Sequence, residues 1–185
     1  MVSEEQKARF NEAGNHPVAW AFVGENLLFA VRPLEADFAA GLGTDAPAEL
    51  SVVSGRLQGP VLMLRGAALE CLLKAVLVHE GKVLASGGRY QSPGGASHDL
   101  AHFASLTSLT FNDDERWMLK YLGFWINQGR YPVPNRASDR DIKQADGSPL
   151  ESNWKREHEA RYVELRHRLT HEVARRTGYG ILSEP

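Results

Sequence analysis

Two arginines and two histidines fill four of the six positions from Arg166 to His171, in the run Leu165-Arg166-His167-Arg168-Leu169-Thr170-His171. These residue types can cut RNA without a metal. The substrate carries its own nucleophile, a 2′-hydroxyl that attacks the adjacent phosphate and expels the 5′-oxygen. The protein must move protons near neutral pH, which imidazole does. It must also hold the charge that builds on the phosphate oxygens, which a guanidinium fork does. In that chemistry His171 is the general acid or base, Arg166 stabilises the transition state, and His167 hydrogen-bonds substrate or orients a partner. The competing reading is a solvated helix face, where such residues are ordinary.

The order arginine, polar residue, three further positions, histidine is met by Arg166, His167 and His171. It resembles the signature of the HEPN domains, small all-α bundles many of which are metal-independent ribonucleases of toxin–antitoxin, abortive-infection and CRISPR systems. The run Glu70-Cys71-Leu72-Leu73-Lys74-Ala75 is similar to an earlier core helix of that family, and His98-Asp99-Leu100 follows its loop. The resemblance spans about residues 58 to 178. It implies a helix carrying Glu70 packed near the motif helix, with Glu70 orienting Arg166, and a dimer whose two motifs face each other.

The residues around the motif are basic. From Lys155 to Arg176 there are seven Lys or Arg against four Glu, although the whole chain carries a formal charge of −2. RNA contact is therefore expected from a local patch that includes Lys155, Arg168 and Arg175, rather than from a general affinity for polyanions. Other constellations read more plainly. His98, Asp99 and His102 have the spacing of two histidines on one helix face, but no further metal ligand is defined, and a capped helix start accounts for them. Trp117, Tyr121 and Trp125 recur every four residues, as a core stripe does; a base-stacking platform would need them exposed. Arg130, Tyr131 and the loop to Arg140 are further candidates for RNA contact. Gly41-x-Gly43 lacks the strand, third glycine and lysine of a phosphate loop, and no Walker loop, paired-cysteine site or metalloprotease motif occurs.

The elements that must position the motif are helical. Ser148, Pro149 and Glu151 predict a helix start, and Gly178 a left-handed stop, which gives a motif helix over about 149–177. Its apolar stripe is Tyr162, Leu165, Leu169 and Val173, with Arg166 at the stripe's border and His171 turned away from it. Upstream, the pattern predicts an N-terminal extension of helices over about 3–34: a short one over 3–13, and another from Val18 through Phe22, Val23 and Leu27 to Val31, limited by Pro33. A turn or two of helix is expected from Ala48 to Val53. Pro60 is expected to open a core helix that stops at Gly81. The glycine- and serine-rich residues 81–97 read as a loop, Ser97 or Asp99 as the cap of a shorter helix, and Asn112 with Glu115 as the start of another that Gly129 ends. Nothing predicts an extensive sheet.

Hydrophobic residues make up 43 % and charged residues 24 % of 185 residues, enough for one domain with a real core. Cys71 is the sole cysteine, so no intrachain disulfide forms and a reducing cytoplasm fits. The polar Ser3–Lys7 start is unlike a signal peptide, and the apolar run Ala67–Val78 is too short to span a bilayer. The expectation is an all-α, HEPN-like bundle of about four to six helices in one domain over residues 1–185. It would be a metal-independent endoribonuclease with RNA as substrate, no cofactor, a cytoplasmic location, and a cognate antitoxin as partner in a toxin setting. A second copy of the chain is expected as well, because a histidine on a convex helix surface needs a cleft to exclude water and fix the phosphate. The alternative is a non-catalytic HEPN module binding RNA, a nucleotide or a partner protein.

Overall fold

The run Ala67–Val78 is apolar around most of its circumference, interrupted only by Glu70 and Lys74 one turn apart, as a helix can be at the centre of a bundle. In the computed structural model, which describes residues 2–43, 45–93, 98–128 and 154–180, that run lies within the central helix. The described elements are α1 (Glu4–Gly14), α2 (Pro17–Ala40), α3 (Ala48–His79), β1 (Ala85–Ser86), β2 (Arg89–Tyr90), α4 (Leu100–Ser105), α5 (Asp113–Gln128) and α6 (Arg156–Thr177). Among the described residues the fold is all-α apart from one two-stranded hairpin. Helices α2, α4, α5 and α6 pack around α3, and the core between them is built from Leu62, Leu69, Leu72, Leu73, Phe38, Phe103, Tyr121 and Tyr162. No helix among the described residues is long and apolar enough to cross a membrane.

Several helix ends follow their local signals. Ser3 caps α1 and exchanges bonds with Gln6; Asn112 and Glu115 do the same at α5; the Asp99 carboxylate accepts from the His102 N–H at α4. Gly178 closes α6 with φ 67°, the left-handed conformation that glycine adopts without a Cβ penalty.

Four expectations about elements are corrected. Pro33 does not end α2, which continues to Ala40. A proline inside a helix costs about 3 kcal/mol, but burying Val31 and Phe38, about 1.5–3 kcal/mol each, outweighs it, and Pro33 itself faces solvent. Pro60 likewise opens nothing: it is exposed on the outer side of α3, which already runs from Ala48. Within the expected 81–97 loop, residues 85–90 form the hairpin, with Ala85 opposite Tyr90, and Gly87 and Gly88 at φ 60° and 72° as a tight turn demands; residues 94–97 lie outside the described ones. Asn15 anchors it by accepting from the Leu84 and Ala85 N–H groups and donating to the Ala85 carbonyl. Finally, α6 starts at Arg156 rather than 149; Ser148, Pro149 and Glu151 lie outside the described residues. Lys155 is extended, and the Trp154 ring before it packs, 3 % exposed, against Tyr121 and Tyr162. The 22 residues of α6 make a helix about 33 Å long.

The face that α2 buries also differs from the expected one. Phe22 and Val23 are exposed, at 52 % and 44 %, while Ala21, Gly24, Leu28 and Val31 are buried, Gly24 against α3. Gly24 decides this: a Cβ there would sit 3.2 Å from the Ala68 carbonyl and from Leu72, so the small residue lets the two helices close. Helix α6 lies antiparallel to α2. Arg156 donates to the Leu42 carbonyl near one end, and the Tyr179 hydroxyl donates to Glu25 at 2.6 Å near the other.

Candidate functional site

Leu165, Leu169 and Val173 are buried in the core, so α6 is held with Arg166 at its α2 edge, Arg168 at its α5 edge, and His167 and His171 outward and exposed. The two histidines are one turn apart on the same face. This is the arrangement the stripe predicts, and it brings the three motif residues onto one side of one helix.

Arg166 is not a loose cation. Its side chain is 13 % exposed, its Nη1 is 3.6 Å from Glu35 Oε2 on α2, and its guanidinium lies 5.6 Å from the Tyr162 ring centre. Glu35 in turn accepts from Arg65 Nε at 2.9 Å. Arg65 is fully buried, with both Nη atoms on Glu159 at 2.7 and 2.6 Å and its guanidinium 4.2 Å from the Tyr162 ring. The Trp154 indole N–H completes the group by donating to Glu159 at 2.9 Å. Burial by itself would lower the Arg65 pKa, but the Glu159 hydrogen bonds, with the Tyr162, Glu159 and Glu35 charges, carry it above its ordinary value. Burial pushes the Tyr162 hydroxyl up, against the opposing field of Arg65. The result is a chain of charges from the interior to the motif: Glu159, Arg65, Glu35, Arg166.

Glu70 does not take the role expected of it. It lies on α3 about 140° around from Arg65 and holds Lys74 Nζ at 2.5 Å and His98 Nδ1 at 2.8 Å, while Arg166 has Glu35. Lys74 is buried under aromatic faces, 4.7 Å from both the Trp20 and Tyr90 ring centres. Burial would lower its pKa; the Glu70 charge and hydrogen bond instead raise it. Cys71 is buried beside this pair, and burial pushes its thiol up to about 11, consistent with an inert core residue. His98 is thus committed to Glu70 and Asp99 to its cap, with His102 on the following helix.

The basic patch is also altered by tertiary structure. Arg168 pairs with Glu115 at 2.8 Å and stacks on Phe111, and Arg175 pairs with Glu172 at 2.5 Å. Arg161 meets Asp114 at 3.1 Å, Arg156 meets Asp45 at 3.7 Å, and Arg176 bonds both Glu172 and Glu80. Every arginine of α6 therefore has a carboxylate, on α2, on α5, on the segments after α2 and α3, or, as Glu172, on α6 itself. Lys155 sits at the far end of the helix, about 30 Å along its axis from Arg175, so Lys155, Arg168 and Arg175 do not form one compact patch. Trp117, Tyr121 and Trp125 form a packing cluster with Trp154 and His158, Tyr121 fully buried. Arg130, Tyr131 and Arg140 lie outside the described residues.

Sequence reasoning missed Glu35, Arg65, Glu159 and Trp154. A signal existed for Arg65 alone: it falls between Val61 and Leu69, four residues from each, on the apolar face of a core helix, where a cation requires buried acidic partners. Which carboxylates supply them is a matter of helices distant in sequence. No family model matches the chain, and comparison with curated proteins and with solved structures found no match either.

Proposed function

We propose that this protein is a metal-independent endoribonuclease of the HEPN type. One observation carries the reading: α6 presents His167 and His171 to solvent on a single face while Arg166, at the border of that face, is held by Glu35. A histidine must be accessible to reach a 2′-hydroxyl or a leaving 5′-oxygen. An arginine that stabilises a transition state works best when already positioned, because no reorganisation is then needed during reaction. His171 takes the 2′-hydroxyl proton or returns one to the 5′-oxygen, Arg166 holds the phosphate oxygens, and His167 assists binding. The α6 surface is convex, so the second proton-transfer group and the wall of the cleft come from a second copy of the chain. A toxin or defence role, with a cognate antitoxin, belongs to the same proposal.

The test is cleavage of single-stranded RNA in EDTA, with 2′,3′-cyclic phosphate ends as product. His171→Ala or Arg166→Ala is expected to lower the rate at least a hundredfold while the helical circular dichroism persists. Dependence on a divalent metal, or equal cleavage of DNA, overturns the mechanism. The rival, a non-catalytic module binding RNA, a nucleotide or a partner protein, is favoured by the same Arg166–Glu35 pair if that arginine serves only to fasten α6 to α2. In that case no cleavage occurs and Arg166→Ala lowers stability alone.

A further inference from the structure

The outer side of α2 carries a second apolar stripe. Phe22, Asn26, Phe29, Pro33, Ala36 and Ala40 follow one another at intervals of 4, 3, 4, 3 and 4 residues, and all six are exposed. This is the spacing of a heptad seam, in which apolar knobs meet the same face of another helix. Phe29, at 70 %, is the most exposed large hydrophobic residue among those described. An exposed run of this size on a structured helix marks a contact surface. The seam's lone polar member is Asn26, of the kind that sets register between paired helices.

We infer that this seam is where a second copy of the same chain docks, with the two α2 helices antiparallel. The choice of occupant rests on charge. The seam has no charged residue, and its flank towards α6 carries Glu25 and Arg32. A pair centred between residues 27 and 28 sets Phe22 against the partner's Pro33. The same pairing sets Glu25 opposite the partner's Arg32, and by symmetry Arg32 opposite the partner's Glu25. The other flank sets Val23 against the partner's Ala30, two exposed apolar residues. Thus a single helix face supplies both halves of a complementary contact, as a two-fold interface requires. The Tyr179 hydroxyl already holds the Glu25 carboxylate at this edge, and a carboxylate retains lone pairs for a guanidinium besides.

The antiparallel sense rests on the ribonuclease reading; the seam does not. In an antiparallel pair the Glu25–Arg32 flanks of both copies lie on the same side, and α6 runs along that flank. Both α6 helices then stand on one face of the α2 pair, and the Val163, Thr170 and Ala174 edges look towards the two-fold axis with His167 and His171 behind them. That is the cleft a single convex α6 lacks. A parallel pair would instead set Arg32 opposite the partner's Asp37 and place the α6 helices on opposite faces.

Sedimentation equilibrium without RNA tests this independently of catalysis. The wild-type chain is expected to be a dimer, and Phe29→Asp to raise its dissociation constant about thirtyfold or more, with helical content unchanged because Phe29 packs outward. Glu25→Arg and Arg32→Glu are each expected to weaken self-association by placing like charges together, and a one-to-one mixture of the two variants to restore dimers. A monomeric wild type, or a Phe29→Asp dimer as tight as wild type, overturns the seam. Restoration by mixing Arg32→Glu with Asp37→Arg instead of Glu25→Arg overturns the antiparallel sense and leaves the two motifs apart.

Discussion

The outer faces of α2 and α6 lie side by side and are opposites. Along α6 every arginine is matched to a carboxylate, whereas along α2 the exposed centre line holds no charge at all. Exposed ion pairs contribute little to stability, so the pairs of Arg156, Arg161 and Arg175 orient side chains more than they hold the fold together. An uncharged face of phenylalanine, proline and alanine has no such use in water. The two helices teach that exposure alone does not identify a binding surface. The chemistry of what is exposed separates a face suited to polar substrate from one suited to another protein.

The largest expected effect comes from cutting the link between the two faces. Arg65 ties Glu35 of α2 to Glu159 of α6 from beneath both. Arg65→Ala leaves two carboxylates facing the core and is expected to cost about 3–5 kcal/mol, read as a lower midpoint in urea with an unchanged slope. A loss under about 1 kcal/mol would mean that the charges find water, and that the two faces are not mechanically joined.

A smaller effect sharpens the α2 side. Asn26→Leu is expected to tighten self-association, because an apolar residue replaces a polar one in the seam, and to loosen register. The measurement is the dissociation constant with the spread of cross-links between engineered cysteine pairs. Weaker association would place Asn26 in a specific polar contact instead.

The smallest concerns α6. Hydrogen bonds from Arg175 and Arg176 hold Glu172 well below the usual carboxylate range, at about 2. A carboxyl depressed in the folded state contributes stability that is complete above its unfolded value near 4.5 and is lost as pH falls towards about 2. Acid destabilisation across that window is therefore expected to be shallower in Glu172→Gln than in wild type, by differential scanning calorimetry. Identical slopes would show that the Glu172 cluster is no tighter folded than unfolded.

Much of the fold was legible locally. The caps at Asp99 and Asn112, the Gly178 stop, and the stripe through Tyr162, Leu165, Leu169 and Val173 all act within a turn or two of chain, where side chain and backbone meet whatever the rest does. Signals that depend on cost were misleading. Pro33 and Pro60 break helices on average, but here they sit on exposed sides where the lost bond is offset by burial elsewhere in the same helix.

For the candidate site, sequence determined that Arg166, His167 and His171 share a helix and that His171 points away from the core, since helical geometry fixes angles between residues on one element. Tertiary structure decided what surrounds them. Glu70 went to Lys74 and His98, Arg166 went to Glu35, and the arginines of the basic patch were matched by Glu115, Asp114, Asp45 and Glu80. These partners lie between 47 and 131 residues away from the arginines they meet. Coulombic pairing depends on distance in space and is blind to separation along the chain, so only the packing of α2, α3 and α5 around α6 could choose them.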